Sequence, residues 1–295
     1  MLRYDNHVHL NDFGVSPDQF IEKLEQAGMT GSNVFSIPPV GFSVNRKTAE
    51  YEDRIRCVLE FTAPYPDRLF PILWIHPDED GILEKIEDAA GRGIKGFKMI
   101  CTNYYVYEDK AMRVLEKIAS VHKPVIFHTG ILWDGMVTSY YNKPLNWECC
   151  LNVRGLKFAL AHCSWPWYDE CIALYGKFLS AYTKRRGDCS EIFLDLSPGT
   201  PMPYRRDLLT KLHTVGYDVK HNLLFGSDFS AQAYNVDSCR EWMKVDDAIY
   251  ADLGLDEETL SFIYGENLKR FLGLEHKKFI RKVVLPDGSI GEVEM

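Results

Sequence analysis

The beginning of the chain carries its densest group of side chains that could bind a metal. His7 and His9 stand one residue apart in the segment DNHVH, which has β-strand character. Alternate side chains of a strand point to the same face, so both imidazoles would project into one site. Two neutral imidazoles are half of the ligand shell of a typical divalent ion, although the pair alone is equally compatible with two unrelated strand histidines.

Three later strand-like segments each end in a residue type that binds metals or transfers protons. They are His128 in PVIFHTG, His162 in FALAHCS and Asp228 in LLFGSDFS. Any one of these could be a satisfied core histidine or a carboxylate that caps a loop. In a (β/α)8 barrel the C-terminal ends of all strands open on one face, so residues far apart in sequence converge there. The joint pattern therefore favours a metal centre over a set of unrelated polar residues.

The periodicity of the chain predicts the barrel that would position them. β-rich runs recur at a mean spacing of about 31 residues, the length of one strand-and-helix unit. The runs, such as LFPILWI and PVIFH, are nearly continuous in apolar residues, as expected of parallel strands covered on both faces. Eight such units predict an α/β fold, a (β/α)8 TIM barrel, with a doubly wound open sheet as the alternative. The runs begin near Arg3, Ser32, Leu69, Lys95, Pro124, Lys157, Glu191 and Asn222.

Helix start and stop signals support this division, and the end of the chain departs from it. Ser16 and Pro17 form a cap and first turn, and Gly28 stands where that helix should stop. We predict one barrel domain over residues 1–274 and a C-terminal extension over residues 275–295. The extension reads as a β-hairpin with its turn at PDGS. It could contact a second subunit or pack over the lower rim of the barrel.

Composition excludes several classes of protein. Lys and Arg number 34 against 42 Asp and Glu, and the net charge of −8 disfavours nucleic acid and anionic membranes as partners. The sequence offers neither an apolar run of membrane-spanning length nor an N-terminal signal segment, which favours a cytoplasmic enzyme with a small-molecule substrate. Eight cysteines without a CxxC pair predict reduced thiols rather than disulfides or a cysteine zinc module.

The ligand pattern resembles that of the metal-dependent amidohydrolase superfamily. The segments AHCSWPW after strand 6, FLDLS on strand 7 and YGENLKRFL near residue 270 are more similar to its amidohydrolase-related branch, amidohydrolase 2. The resemblance extends to about Gly273. It implies a hydrolase, lactonase or non-oxidative decarboxylase that acts on a small carboxylated or ring-containing substrate. It further implies that the metal, expected to be zinc, is bound by His7, His9, His128 and Asp228, with His162 as the proton-transfer or substrate-polarising residue.

The implied chemistry is physically consistent. A bound metal lowers the pKa of water from about 15.7 toward 7, which makes a nucleophile available at neutral pH. Asp228 could bind the ion and also accept the proton of that water, so that it is both ligand and catalytic residue. His162 could polarise the carbonyl or protonate the leaving group. Asp5, two residues before His7 and therefore expected on the same strand face, is a candidate to support the ligands or to form hydrogen bonds inside the barrel.

Lys98 leaves two readings open. It lies in KGFKMI on the fourth strand and faces the barrel if Phe97 and Met99 face the helices. Some members of the superfamily carboxylate such a lysine to bridge two metals, whereas the related branch usually holds one metal without it. A protonated Lys98 could instead form an ion pair or bind a substrate carboxylate. We favour one ion, with two if Lys98 is carboxylated.

Specificity is expected from the loops that follow the strands. Tyr104, Trp133, Trp165 and Arg205 lie at predicted mouth positions and are candidates for the substrate pocket. Trp165 could equally pack against the sixth helix, and Arg205 could be a solvated charge of a first helical turn. The long connection over residues 38–47 is a candidate lid. His76 ends strand 3, and a structural role is the simpler reading.

The leading hypothesis is a hydrolase in which water activated by the metal attacks an amide, lactone or ester carbonyl. A decarboxylase on the same scaffold is the closest competitor, and a barrel that binds metal without turnover is the third. The sequence leaves open the substrate, the identity of the metal and the oligomeric state, including whether the chain forms a homo-oligomer.

Overall fold

The computed structural model describes residues 1–40, 47–185, 188–285 and 287–295. Its elements alternate between strands and helices as the spacing predicts. In chain order they are β1 Tyr4–His9, α1 Pro17–Ala27, β2 Gly31–Phe35, α2 Tyr51–Thr62, β3 Leu69–Trp74, α3 Ile82–Gly91, β4 Gly96–Met99, α4 Asp109–Ser120, β5 Val125–Phe127, β6 Lys157–Leu160, α5 Tyr168–Arg185, β7 Glu191–Asp195, α6 Met202–Thr214, β8 Leu223–Leu224, β9 Phe229–Ser230, α7 Val236–Asp252, α8 Glu257–Ser261, α9 Asn267–Leu272, β10 Ile280–Val284 and β11 Ile290–Glu294.

The strands form a parallel sheet that curls into a barrel. Strands β1 to β8 are neighbours in chain order, and β9, in the same eighth unit as β8, pairs with β1. The segment that links β8 to β9 also bonds to β1. The backbone N–H of Asn6 on β1 donates to the carbonyl of Phe225 at 2.8 Å, and the N–H of Asp228 donates to the carbonyl of His7 on β1 at 2.9 Å. The eighth unit therefore joins β7 on one side and β1 on the other. This confirms the barrel and excludes the doubly wound sheet, whose strand order would reverse at its centre.

Side chains of the strands divide into two cores. Outward-facing residues such as Val8, Phe97 and Met99 pack with the helices. Inward-facing residues such as Tyr4, Ile72 and Phe193 fill the lower barrel, where Phe271 of α9 packs against them. A filled interior of this kind leaves the C-terminal ends of the strands as the place for a site.

The predicted start and stop residues of the first helix have these roles in the structure. The Ser16 hydroxyl accepts a hydrogen bond from the N–H of Gln19 at the start of α1, and Gly28 ends that helix with a left-handed φ of 82°. The fifth unit departs from the pattern, since two 3-10 segments, Ser139–Asn142 and Pro144–Asn152, stand where a helix would follow β5. Gly135 and Pro144 disfavour a long helix there.

The C-terminal extension is an antiparallel hairpin of β10 and β11, as predicted, with Ile280 opposite Glu294. It packs over the lower rim, which is the end of the barrel where the strands begin. There Arg281 of β10 donates to Glu191 of β7 and to Asn222, at 2.9 and 2.7 Å. All eight cysteines are free thiols. Among the described residues, none of the helices has the length and apolar character needed to cross a membrane.

Candidate metal centre

A β-bulge in β1 sets the direction of the first two candidate ligands, His7 and His9. Asp5 pairs with Ser32 but Val8 pairs with Val34, so β1 holds one extra residue between them. Tyr4 lies against Phe70 inside the barrel, and the Asn6 amide donates to Asp195 there at 3.0 Å. After the bulge His7 also faces inward, and His9 follows it at the spacing that the strand rule predicts. The ring centroids of the two histidines are 5.2 Å apart.

The same bulge overturns the expectation that Asp5 shares a face with His7. The Asp5 carboxylate accepts hydrogen bonds from the backbone N–H groups of His7 and Ser227, at 3.0 and 2.9 Å, and from the Tyr234 hydroxyl at 2.8 Å. Tyr234 packs against Phe20 of α1, on the helix side of the barrel wall. Burial raises the pKa of Asp5 to about 6, against the lowering effect of these hydrogen bonds. Asp5 therefore braces the seam between β1 and the Asp228 segment.

His7, His9 and Asp228 converge at the mouth. One ligand atom from each lies within 4.8 Å of the others, and this is the potential metal cluster found among the described residues. The Oδ1 atom of Asp228 is 3.4 Å from Nε2 of His7 and 3.3 Å from Nε2 of His9. Asp228 has a left-handed φ of 59°, and its side chain is 35% exposed, so the cluster opens toward solvent.

The other ring nitrogen of His7, Nδ1, contacts a buried carboxylate on the side away from the cluster. Its Nδ1 lies 2.7 Å from Oδ2 of Asp195, at the end of β7. A carboxylate only accepts, so Nδ1 carries the proton and the lone pair of Nε2 faces the cluster. The strand-7 segment FLDLS contributed to the family resemblance, but sequence reasoning gave Asp195 no role. The available signal was the spacing of Asp195 and Ser197, which is that of two side chains on one strand face.

His162 and His128 form a second pair beside the cluster. The rings of His162 and His7 have centroids 5.2 Å apart, and those of His162 and His128 are 5.0 Å apart. Nδ1 of His162 faces the carbonyl and hydroxyl oxygens of Ser197, at 3.4 and 3.1 Å. Nε2 of His128 lies 3.3 Å from the carbonyl oxygen of Ile131. Because a carbonyl only accepts, His162 keeps Nε2 as its lone-pair atom and His128 keeps Nδ1.

The backbone that places the His162 ring at the mouth has a strained conformation. His162, Cys163 and Ser164 have φ angles of 61°, 42° and 58°, a left-handed run without glycine. The ring passes so close to Gly199 that a Cβ there would lie 2.4 Å from the Cβ of His162. Such strain persists only where the surrounding structure overrides it.

Lys98 is fully buried and faces the barrel, as the sequence predicts. Its Nζ lies 3.3 Å from Nε2 of His7 and 4.8 Å from the centroid of the Phe35 ring. Lys98 thus stands at the nitrogen that His7 offers to a metal.

Electrostatics match the protonation states that ligands need. Burial, followed by the charge of Lys98, holds the pKa of His7 well below its usual value, and burial followed by His162 does the same for His128. Burial opposes ionisation of Asp228, but His7 and His9 outweigh it and hold the pKa of Asp228 well below its usual range. Neutral imidazoles and an ionised carboxylate form the donor set that zinc and similar divalent ions accept in catalytic sites. The residues of the cluster therefore fit a metal.

Two of the four predicted pocket residues are not at the pocket. Tyr104 is fully buried among apolar side chains, its hydroxyl faces the Ile100 carbonyl at 3.4 Å, and its ring packs against His76. The Arg205 guanidinium is 1% exposed and forms a bidentate pair with Asp246, at 2.7 and 2.6 Å. A bidentate pair between helices uses the donors that a substrate would need. We therefore withdraw Tyr104 and Arg205 from the predicted pocket.

The two tryptophans lie on loops beyond β5 and β6. Trp133 is 80% exposed, and Trp165 is partly buried with its carbonyl accepting the N–H of Ile131 at 3.0 Å. The predicted lid falls mainly on residues 41–46, which lie outside the described residues. His76 accepts the N–H of Asp78 and contacts Asn103 through its ring nitrogens, at 3.2 and 3.1 Å, and these contacts favour a structural role.

The barrel and the candidate metal cluster at its mouth indicate the class of protein, a barrel that can bind a metal. The sequence comparison identifies the family. The Amidohydro_2 family model, described as amidohydrolase, matches residues 7–274. The chain belongs to that amidohydrolase family of enzymes. Its predicted barrel domain, residues 1–274, ends where the match ends. No curated protein is matched by the sequence.

Solved structures with the same fold include both hydrolases and decarboxylases. An Acinetobacter baumannii protein assigned as a 2-pyrone-4,6-dicarboxylic acid hydrolase, with citric acid bound, has a TM-score of 0.63 at 15% identity, covering 93% of this chain and 100% of its own. A 2,6-dihydroxybenzoate decarboxylase from Rhizobium has a TM-score of 0.61 at 11% identity, covering 92% and 99%. A 5-carboxyvanillate decarboxylase from Novosphingobium aromaticivorans, with bound manganese, has a TM-score of 0.61 at 11% identity, covering 92% and 97%.

Proposed function

We propose that this chain is a metal-dependent hydrolase that uses activated water to attack an amide, lactone or ester carbonyl. The observation that carries the proposal is the convergence of His7, His9 and Asp228 within 4.8 Å at the open end of the barrel. Asp228 is 35% exposed, so water can reach the cluster, as it must in a catalytic rather than a structural zinc site. The substrate we expect is small and carboxylated or ring-containing, and the enzyme is expected to be cytoplasmic.

The ion would be held by Nε2 of His7, Nε2 of His9 and Asp228, with His128 as a further ligand through Nδ1. When bound, a divalent ion such as Zn2+ lowers the pKa of water toward neutrality and polarises a carbonyl. Asp228 is ionised and at the edge of solvent, so it can accept the proton of the attacking water.

His162 would complete the proton transfer. Its Nδ1 proton is directed to Ser197, so Nε2 is the atom that takes up a proton and then gives it to the leaving group. Asp228 and His162 would in this way pass one proton from water to product.

For Lys98 we propose the protonated state, with its ammonium group available to a substrate carboxylate, and one ion per chain. The alternative is a carboxylated Lys98 between two ions, since the lone-pair atoms of His128 and His162 are available to a second one. The two readings differ in the number of metal equivalents that the chain binds.

Decarboxylation is the second candidate. A buried lysine beside the cluster could bind the carboxylate that departs, and His162 or Asp228 could protonate the carbon. Two similar structures are decarboxylases of aromatic carboxylic acids. Product analysis separates the candidates. Hydrolysis in 18O-labelled water places label in the organic product, whereas decarboxylation releases carbon dioxide and leaves the organic product without label from that water.

The first experiment is the metal content of protein purified without chelator and with bicarbonate present. We expect one equivalent, lost in His7→Ala and in Asp228→Ala, and retained in Lys98→Ala and in the remote control His276→Ala. Two equivalents that fall to one or fewer in Lys98→Ala would establish the carboxylated lysine. Full occupancy in His7→Ala and Asp228→Ala would refute the ligand assignment and with it the proposed function.

A further inference from the structure

We infer that Asp195, the last residue of β7, and Ser197, two residues beyond it, form a positioning element that orients both the proposed metal ligand His7 and the proposed proton-transfer residue His162. The inference rests on the proposed function and deepens it, since it assigns a role behind the site to residues that would not touch substrate or metal. Its starting point is that His7 on β1 and His162 in the turn after β6 direct the same nitrogen, Nδ1, toward one short segment.

Asp195 is fully buried, and its acceptor sites face polar donors. Oδ2 lies 2.7 Å from Nδ1 of His7 and 3.0 Å from the side-chain nitrogen of Asn6. Oδ1 accepts the N–H of Ser197 at 2.7 Å. Asn6 is itself fixed by the amide of Asn33, which donates to it at 2.8 Å. The carboxylate is therefore held in one orientation from three sides.

This geometry determines which ring nitrogen of His7 carries the proton. A carboxylate at 2.7 Å stabilises the tautomer with the proton on Nδ1, which leaves the lone pair on Nε2, the atom that faces His9 and Asp228. It also increases the electron density of the ring and so its strength as a ligand. The position of Lys98 at Nε2 is consistent, because a lysine N–H can donate only to a nitrogen with a lone pair.

Ser197 extends the same control to His162. Its carbonyl oxygen accepts from Nδ1 of His162, and its hydroxyl lies within 3.2 Å of Nδ1 of both His7 and His162. Two oxygens on one residue fix the ring in its plane and keep Nε2 free of a proton in the neutral state. Rotation or flipping of either ring would break contacts on the same strand end.

A second buried carboxylate gives the contrast that the test needs. Asp246 is also fully buried, but it forms a bidentate pair with Arg205 between α6 and α7. Its partner is a permanent cation, so Asp246 has a structural role. Asp195 takes hydrogen bonds from an imidazole, an amide and a backbone N–H. Removing the charge at either site disturbs a buried network, but only Asp195 would change the metal centre.

The principal test compares Asp195→Asn with Asp246→Asn. We expect Asp195→Asn to weaken Zn2+ binding, measured by competition with a chromophoric chelator, about 10- to 100-fold. The visible absorption of the Co2+-substituted protein should change with it. Asp246→Asn should lower the melting temperature of the metal-free protein while Zn2+ affinity and the Co2+ spectrum stay as in the wild type. If Asp195→Asn lowers only the melting temperature, Asp195 is structural and the inference is overturned.

A measurement on the unaltered chain keeps the inference testable if Asp195→Asn does not fold. Nitrogen-15 chemical shifts of the metal-free protein report which ring nitrogen carries the proton. We expect Nδ1–H for His7 and His162 and Nε2–H for His128, with peaks assigned from single histidine variants. A proton on Nε2 of His7 at neutral pH would contradict the orientation that Asp195 is inferred to impose.

Ser197 is tested by a split between kinetic constants. Ser197→Ala should lower kcat about tenfold or more with Zn2+ affinity and KM unchanged, and Ser197→Thr should restore most of the loss. An unchanged kcat would remove Ser197 from the element. If the wild type binds no metal the proposed function fails, whereas equal metal affinity in the wild type and Asp195→Asn overturns the inference alone.

Discussion

The two ends of the barrel each bury a group of ionisable side chains, and they treat charge in opposite ways. At the lower rim, Nη1 of Arg270 donates to both carboxylate oxygens of Glu191, at 2.9 and 2.7 Å, and Arg281 donates to the same carboxylate at 2.9 Å. Asn222 also donates to it, at 3.1 Å. Burial alone would raise the pKa of Glu191, but the two arginines outweigh it and lower the pKa to about 2. The buried carboxylate there faces two permanent positive charges.

At the mouth the buried groups are instead alike and compete. The ring of His7 contacts those of His9 and His162, and Lys98 adds a further nitrogen beside His7. The mouth also holds the left-handed residues His162 to Ser164 and Asp228. The comparison indicates that the lower rim contributes stability, whereas the mouth combines a strained backbone with perturbed ionisable groups, as functional sites commonly do.

The largest expected effect tests the mouth. His162→Asn removes the atom that we propose transfers the proton, so kcat should fall about 10²- to 10⁴-fold on an identified substrate. Metal content should remain that of the wild type, because the cluster of His7, His9 and Asp228 is intact. Metal analysis and steady-state kinetics of the same preparation check both statements. Unchanged activity would show that His162 has no catalytic role, and loss of a metal equivalent would assign it to a second ion.

The next effect tests the lower rim. Glu191→Ala leaves the guanidinium groups of Arg270 and Arg281 buried without their carboxylate, which should lower the free energy of unfolding by about 3–5 kcal/mol. Metal affinity and kcat per folded chain should stay close to wild-type values, since the rim lies at the other end of the barrel. Denaturant unfolding together with kinetics at low temperature measures the two. A loss of kcat without a loss of stability would contradict the division between the two ends.

The same carboxylate predicts a pH dependence. The pKa of Glu191 is lower in the folded chain, about 2, than in the unfolded chain, so its ionised form stabilises the fold above the unfolded pKa of about 4.3. This contribution, about 3 kcal/mol, should be lost as the pH falls from 4.3 toward 2. The measurement is the difference in unfolding free energy between wild type and Glu191→Gln at pH 7 and near pH 3. A difference that is constant across this range would exclude the lowered pKa.

The fold was predictable because its signals are repeated and local. Nearly continuous apolar strands such as PVIFH identify a parallel sheet, and a constant spacing identifies its closure, without any knowledge of loops. The potential ligands were also visible, since His7, His9 and Asp228 each stand where a strand reaches the mouth. The structure brings these three together, while their roles as ligands and that of His162 in catalysis remain predictions.

What the sequence could not supply are contacts that depend on small shifts of register. The bulge in β1 reverses the face of Asp5 and turns His7 toward Asp195, and a strict alternation of side chains cannot reveal one extra residue. Arg205 was misplaced for a related reason. Its position after strand 7 fits the mouth, but the partner that buries it, Asp246, lies on a helix 41 residues away. Side chains whose orientation depends on a bulge or on a partner far along the chain are thus less predictable than the polar residues at strand ends.

The smallest expected effect tests how closely the mouth is packed around His162. A methyl group at Gly199 would lie 2.4 Å from the Cβ and 2.7 Å from the Cγ of His162, too close for the ring to stay in place. A displacement of about 1 Å in a catalytic group can lower the rate about 10²-fold, so Gly199→Ala should reduce kcat about 10- to 100-fold.

The matched control for this change is Gly91→Ala at the end of α3, where an added Cβ meets no atom within 4 Å and the backbone is not left-handed. It should leave kcat unchanged and keep stability at or slightly above that of the wild type, since alanine favours a helix. The expected pattern is a loss of kcat in Gly199→Ala alone, with the metal content of both variants unchanged. Equal kcat in the two variants would mean that His162 has room to move, and the strained backbone at the mouth would then not be needed to hold it in position.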